Sequence, residues 1–175
     1  PSLKEIPWFP YLGDGATANL GSGCISPERV ALTVGTTRAL RAVVGYPVER
    51  IPQGLWCYRV DGRRSLPGGA LSEGGSVFAW MKERLQIGDP SAIEAALASM
   101  EPDSHDLIML AFLAGERSPN WAGHARATIH GLSLATTPLD ILRAGLEAVA
   151  YRIALVFQLL SPLLPADLKV IASGG

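Results

Sequence analysis

The sequence predicts a layered α/β domain. Three observations carry this: short β-type apolar runs crowd the first 60 residues, helical periodicity takes over from about residue 72, and an apolar run closing on glycines ends the chain. Strands that follow one another so closely are most simply joined as an antiparallel β-meander, with the helices packed on it afterwards. Sequence order alone leaves the strand order open.

Residues 1–12 hold three prolines and predict an extended leading segment. Residues 14–20 predict a short helix whose surface is kept small by Ala16 and Ala18. Strands follow over 30–34, 39–44 and 55–60, the first two separated by Gly35-Thr36-Thr37 and the third leading into an Asp61-Gly62 hairpin signal. Beyond Pro67-Gly68-Gly69, residues 72–85 place Val77, Trp80 or Met81, and Leu85 on one helical face, and 91–100 form an alanine-rich helix. Residues 107–113 read as a strand and 114–126 as a long polar loop.

The clearest helix begins at Thr137, an N-cap hydroxyl followed by Pro138 at the first helical position and Asp140 at the third. Leu139, Leu142, Leu146, Val149, Ile153, Phe157 and Leu160 then recur at three- and four-residue spacing as one buried stripe, with Arg143 and Glu147 on other faces. A last strand is predicted over 168–172, ahead of Ser173-Gly174-Gly175.

Composition excludes several classes. With 175 residues and 48% hydrophobic content, the chain can bury a core for one domain, with or without a dangling segment. A net charge of -1, with the charges scattered, speaks against a nucleic-acid partner. The richest apolar stretch, 153–164, is broken by Gln158, Ser161 and Pro162, short of the roughly 18 residues a bilayer span needs, so no membrane role is expected. Cys24 and Cys57 lack metal-type spacing and predict neither a disulfide framework nor a zinc site. Without a leader peptide the chain fits a reducing, ATP-containing cytoplasm. It starts on Pro1-Ser2-Leu3 and stops just after a strand-like run, so it reads as an internal fragment of something longer.

Two glycine-rich turns carry the chemistry. In Gly13-Asp14-Gly15 one carboxylate stands where the backbone is nearly bare. The bland reading is an Asx-type turn or a helix cap. The functional reading is phosphoryl transfer, in which an aspartate at a tight turn accepts the proton of a substrate hydroxyl and lies near a magnesium ion. Gly35-Thr36-Thr37 is either an ordinary hairpin turn or a nest of N–H groups and hydroxyls for phosphate; no Gly-Lys-Ser/Thr of a Walker A loop occurs. Gly75 opens a predicted helix whose N-terminal amides favour anions, and Gly174-Gly175 follow a strand where nucleotide contacts are common. His105, His124 and His130 have no recognisable nucleophile and read as packed or surface histidines. Glu116-Arg117 reads as an ion pair fixing its loop. Trp8, Trp56, Trp80 and Trp121 read as packing, with Trp8 and Trp121 left open because they fall in loops.

These residues resemble the FGGY carbohydrate kinases, in the carboxy-terminal domain and the few residues before it. Residues 13–21 look like the segment carrying that family's catalytic aspartate, and 32–37 like its phosphate-binding turn. Ala127-Thr128-Ile129-His130-Gly131-Leu132, seven further residues and 140–147 match its second signature. Gly69 to Gly75 with Trp80, 112–119 and Ser173-Gly174-Gly175 are similar in turn, so the likeness runs along almost the whole chain. Gly145 and Arg38 depart from the family pattern, which expects a small aliphatic or hydroxyl side chain at the first and a small residue at the second.

The resemblance implies an actin-like, ribonuclease H-like fold: residues 1–28 would lead from an amino-terminal domain, and 29–175 would be the carboxy-terminal domain, truncated at its end. It implies ATP and Mg2+ as cofactors and a small sugar or sugar acid as partner, with a homodimer left open. Asp14 would be the general base and lie near the metal, Gly35 and Thr36 would face the phosphates, Gly75 the nucleotide, and Gly174 and Gly175 its adenosine side. Residues 54–58 and the Gly-Glu-Arg-Ser-Pro loop look closest to gluconate kinases, then xylulose and other pentulose kinases. The contrasting reading is a non-catalytic nucleotide-binding regulator, or an actin-like ATPase without a sugar.

Overall fold

The computed structural model describes residues 3–8, 11–45 and 47–174. Of the leading segment only a 3-10 turn, Leu3–Glu5, is regular, and residues 1, 2, 9 and 10 lie outside the described part. Helix α1 spans Asp14–Gly21. Strands β1 (Arg29–Val34), β2 (Arg38–Ala42), β3 (Val44–Gly45), β4 (Trp56–Arg59) and β5 (Arg64–Leu71) follow. Helices α2 (Gly75–Arg84) and α3 (Pro90–Ser99), a two-stranded ribbon of β6 (Ile108–Leu110) with β7 (Thr128–His130), helix α4 (Pro138–Leu160) and strand β8 (Lys169–Ser173) complete the chain.

β1 and β2 form the expected antiparallel pair, Leu32 opposite Leu40. The third expected strand, β4, is not their neighbour. Ser65 pairs with both Val44 and Arg59, and Gly68 with both Arg41 and Trp56, so β5 lies between β2 with its continuation β3 on one side and β4 on the other. β8 adds to the far edge, parallel to β1, with Val30 opposite Val170. The meander is thus expanded by β5, whose Pro67-Gly68-Gly69 reads locally as a break. Packing explains the two glycines: a Cβ on Gly68 would stand 2.5 Å from the Leu40 carbonyl, and one on Gly69 2.6 Å from Val156.

Thr137 caps α4 as its sequence predicts. Its hydroxyl accepts from the Asp140 amide at 3.2 Å, while the Asp140 carboxylate accepts from the Thr137 amide at 2.8 Å. Leu142, Val149, Val156 and Leu160 are fully buried, and Ala144, Gly145 and Ala148 widen the stripe. One half of α4 packs with Val77, Met81, Ile93, Leu107 and Met109, the other with Val30, Leu40, Ala42 and Leu71 of the sheet, and Ile153 touches both clusters. Arg143 and Glu147 do not merely face solvent. They pair at 2.5 Å, and Glu147 also accepts from the Asp103 amide at 3.2 Å.

By length and composition alone 138–163 is long and apolar enough to cross a bilayer, a test that a core helix passes equally. Here that helix lays its apolar face on the sheet and on α2. Cys24 and Cys57 are free thiols.

Candidate active site

Asp14 occupies the first turn of α1, after Gly13, and is exposed. Its Oδ1 accepts from the Gly15 amide at 2.7 Å, which orients the carboxylate. Below it the buried Asn19 ties α1 to the sheet: its Nδ2 donates to the Cys24 carbonyl at 3.3 Å and the Arg41 carbonyl at 3.5 Å. Arg41 rises from β2 towards the same helix. Gly15 leaves it room, since a Cβ there would meet the Arg41 guanidinium at 3.0 Å. That guanidinium donates to the Thr33 hydroxyl at 2.5 Å. Burial lowers the Arg41 pKa and the nearby Asp14 charge works against that shift.

Asp14 lines a cleft of about 380 Å3 on the sheet face opposite α4. Ala39, Arg41, Leu66 and Ala70 form its floor, and Thr37 and Arg38 bring the end of the Gly35-Thr36-Thr37 turn to its rim. Trp56 and Tyr58, with ring centroids 4.5 Å apart, form a wall. Packing describes this pair only in part: Tyr58 is 60% exposed towards the opening.

The glycines at 75 and 174 gather at the Gly35-Thr36-Thr37 turn. The Gly75 amide donates to the Gly35 carbonyl at 2.8 Å, and the Ser76 hydroxyl to the Thr36 carbonyl at 2.9 Å, so the start of α2 is clamped onto the turn. The Gly35 amide itself donates to the Thr37 carbonyl at 3.0 Å. Gly174 sits against Val34, where a Cβ would fall inside the Val34 carbonyl, and its φ of +123° suits glycine. Gly35 with Thr36, Gly75 and Gly174 therefore converge from three points of the chain; Gly175 lies outside the described residues.

Behind the clamp Glu73 is 2% exposed, and neither carboxylate oxygen has a hydrogen-bond partner among the described residues. Burial pushes its pKa up, with Arg152 opposing and Glu116 reinforcing the shift. Glu116 does not pair with its neighbour Arg117. Its carboxylate takes Arg152 of α4 and Asn120, because residue 116 points inward where residue 117 points out. Residues 103, 105 and 147 form the one group of metal-type side chains close together among the described residues. Glu147 already holds Arg143, and His105 Nδ1 accepts from the Leu107 amide at 3.0 Å, leaving Nε2 to donate to Glu147. That network locks a loop to α4. His105 is thus a packed histidine.

Arg41, Trp56, Tyr58 and Arg117 line this cleft and Asn19 braces α1 beneath it, and the sequence reading assigned none of them to a site. Two arginines inside one short strand, at 38 and 41, were the available signal for a charged cleft.

The fold matches solved structures closely. Xylulose kinase from Lactobacillus acidophilus superposes with a TM-score of 0.83 at 29% identity, covering 93% of this chain and 33% of that one. Gluconate kinase from the same organism gives 0.82 at 30% identity, covering 93% and 33%. The fold is therefore the actin-like α/β lobe of sugar kinases. The profile of the FGGY family of carbohydrate kinases, C-terminal domain, matches residues 30–175, and the chain belongs to that family. Among curated relatives, the gluconokinase of Bacillus subtilis is 29% identical over 98% of this chain and 36% of its own length. A glycerol kinase of Mycobacterium tuberculosis is 31% identical over 87% and 30%. The chain spans about a third of these relatives.

Proposed function

We propose that this chain is the carboxy-terminal part of a kinase that transfers the γ-phosphoryl group of ATP to a hydroxyl of a sugar or sugar acid, in the manner of a gluconate kinase. One observation carries the reading: an oriented, exposed carboxylate, Asp14, shares a cleft with the end of the Gly35-Thr36-Thr37 turn, so a hydroxyl and a phosphate can be held side by side.

Asp14 accepts the proton of the acceptor hydroxyl while that oxygen forms its bond to the γ-phosphorus and the bond to the ADP oxygen breaks. The amides of Thr36 and Thr37 and their hydroxyls face the phosphates. Gly35 and Gly75 shape the turn, the Gly75 amide being taken up by the clamp and the Gly35 amide by the Thr37 carbonyl. Gly174, with Gly175 after it, borders the nucleotide. A Mg2+ ion fits this donor set, because Mg2+ takes one or two carboxylates together with substrate phosphates, and Oδ2 of Asp14 has no hydrogen-bond partner among the described residues. When bound, the metal neutralises charge on the phosphates. The free thiols suit a reducing, cytoplasmic setting.

The test is ADP release by the full-length protein carrying this segment, with ATP, Mg2+ and a panel of polyols, ketoses and aldonic acids. Release that depends on one acceptor class supports the kinase. Equal release with and without every acceptor points to an ATPase, and no release at all to a regulator.

A further inference from the structure

The loop that carries Arg117 is fixed at the end of the sheet where the Gly35-Thr36-Thr37 turn lies. On one side of Arg117, Glu116 is buried against Arg152 and Asn120. On the other Ser118, fully buried, is stitched to β5: its amide donates to the Ala70 carbonyl at 2.9 Å and its hydroxyl accepts from the Ala70 amide at 3.1 Å. Arg152 also donates to the Ser118 carbonyl at 2.8 Å. Ala70 in turn stands opposite Ala39, which follows Thr37 and Arg38 at the end of the turn. Because the Ala70 amide is committed to Ser118, it points away from β2, and residues 116–118 continue the line of β4 past Trp56, which stands opposite Gly68. Only β5 therefore separates this loop from the end of the turn, two strand spacings of roughly 5 Å each. A long side chain reaching from that loop can meet a phosphate seated at the turn.

Phosphoryl transfer needs positive charge there, because the transferred group carries its charge on oxygens that cationic groups stabilise. The turn itself offers only amides and hydroxyls, and no Gly-Lys-Ser/Thr supplies a lysine. Four arginines, Arg38, Arg41, Arg59 and Arg117, line the cleft with Asp14. Arg41 is committed to Thr33, and the Nε of Arg38 is buried. Arg59 stands opposite Ser65, at the other end of β4 from Trp56. Arg117 is exposed, and its guanidinium has no hydrogen-bond or ion-pair partner among the described residues. Its planar fork of N–H donors matches phosphate oxygens in pairs. Phosphates enter the cleft whichever acceptor is used, whereas an acceptor carboxylate does so only when the acceptor is an acid.

Resting on the kinase reading for the presence of nucleotide phosphates at the turn, we infer that Arg117 is a substrate-binding residue that grips the terminal phosphates of ATP. It supplies the charge that the glycine turn lacks, from a loop whose two neighbouring side chains are anchored in the core.

The experiment compares wild-type, Arg117→Gln and Arg117→Lys full-length protein in two readouts. The first is binding of ATP, ADP and AMP in the presence of Mg2+, followed by displacement of a fluorescent ATP analogue. Loss of a charge-assisted contact to the terminal phosphates is expected to weaken ATP by about 10- to 100-fold and to leave AMP within about 2-fold. Arg117→Lys, which keeps the charge but not the fork, falls between. The second readout is steady-state ADP release with D-gluconate and its neutral counterpart D-glucitol, whose ratio is expected to stay within about 2-fold of the wild type. Equal weakening of ATP and AMP overturns the inference, as does unchanged ATP binding. A loss confined to D-gluconate with ATP binding intact overturns it too, and makes Arg117 a ligand of the acceptor carboxylate. The kinase reading is judged separately, by acceptor-dependent ADP release from the wild type. Arg117-dependent ATP binding without any such release removes that reading and leaves the phosphate contact standing, and a wild type that binds no ATP removes both.

Discussion

The Gly75 amide donates to the Gly35 carbonyl at 2.8 Å, joining the first turn of α2 to the turn between β1 and β2. This bond sets the shape of the proposed phosphate turn from a helix forty residues away.

Substitutions in the clamp should therefore differ sharply. A Cβ on Gly74 would lie 2.5 Å from the Thr36 carbonyl and 2.6 Å from that of Gly35, both rigid backbone, whereas one on Gly75 lies 3.3 Å from Gly35. Gly74→Ala is expected to cost about 1–3 kcal/mol in denaturant unfolding and to raise KM for ATP, with Gly75→Ala milder on both. Equal effects would mean that the clamp does not control the turn.

Asp14→Asn keeps the shape of the side chain and removes its basicity. The expected outcome in full-length protein is a fall in kcat of about 10²-fold or more with little change in KM for ATP. Wild-type turnover by a folded variant would remove Asp14 from the chemistry. Residues 1–175 alone are expected to be inactive in the same assay, because they span only about a third of the relatives' length.

Gly145 departs from the family pattern for a reason visible in the core. A Cβ there would meet Met81 at 2.5 Å, and Met81 is fully buried. Glycine inside a helix costs about 1 kcal/mol relative to alanine, and here that loss is exchanged for space. Gly145→Ala should stabilise the protein by about 1 kcal/mol in a Met81→Ala background and by clearly less in the wild type. A double-mutant cycle in urea with no coupling between the sites would refute this packing account.

Buried Glu73 and half-buried Glu147 should titrate with opposite signs. Burial raises the pKa of Glu73 above the ordinary glutamate value, so the folded state favours its protonated form and this contribution is lost as pH rises through the raised pKa. Glu73→Gln is therefore expected to raise Tm at neutral pH, with the gain shrinking as pH falls towards about 4.3. For Glu147 burial pushes the pKa up, but Arg143, the Asp103 amide and His105 together hold it below the ordinary value. Its contribution is present above the ordinary glutamate pKa and lost as pH falls through the lowered one, so Glu147→Gln should lower Tm at neutral pH and matter least in acid. Melting curves between pH 3 and 8 would show the two trends diverging; parallel trends would contradict both assignments.

Much of this molecule is legible locally. The Thr137-Pro138-Leu139-Asp140 start, the apolar stripe of α4 and the hairpin at Asp61-Gly62 each arise from contacts within a few residues, and each appears where its pattern places it. Arg64–Leu71 was obscured because Pro67-Gly68-Gly69 disfavours a strand on its own. Only the crowding by Leu40, Trp56 and Val156 requires small residues there. At the site, Asp14 and the glycine turns stand out by composition. Arg41, Trp56 and Tyr58 do not, since their part in the cleft depends on which strands become neighbours.

By itself the sequence determined the kind of most elements, though not of β5, together with the capped core helix and the membership of its motifs in one family, because periodicity, caps and turn residues act over three or four positions. Tertiary structure alone decided that Glu116 pairs with Arg152, 36 positions away, rather than with adjacent Arg117. A buried carboxylate needs a partner on the face where packing puts it, and successive residues of an extended loop point to opposite sides. The same choice leaves Arg117 to line the cleft that Asp14 also lines.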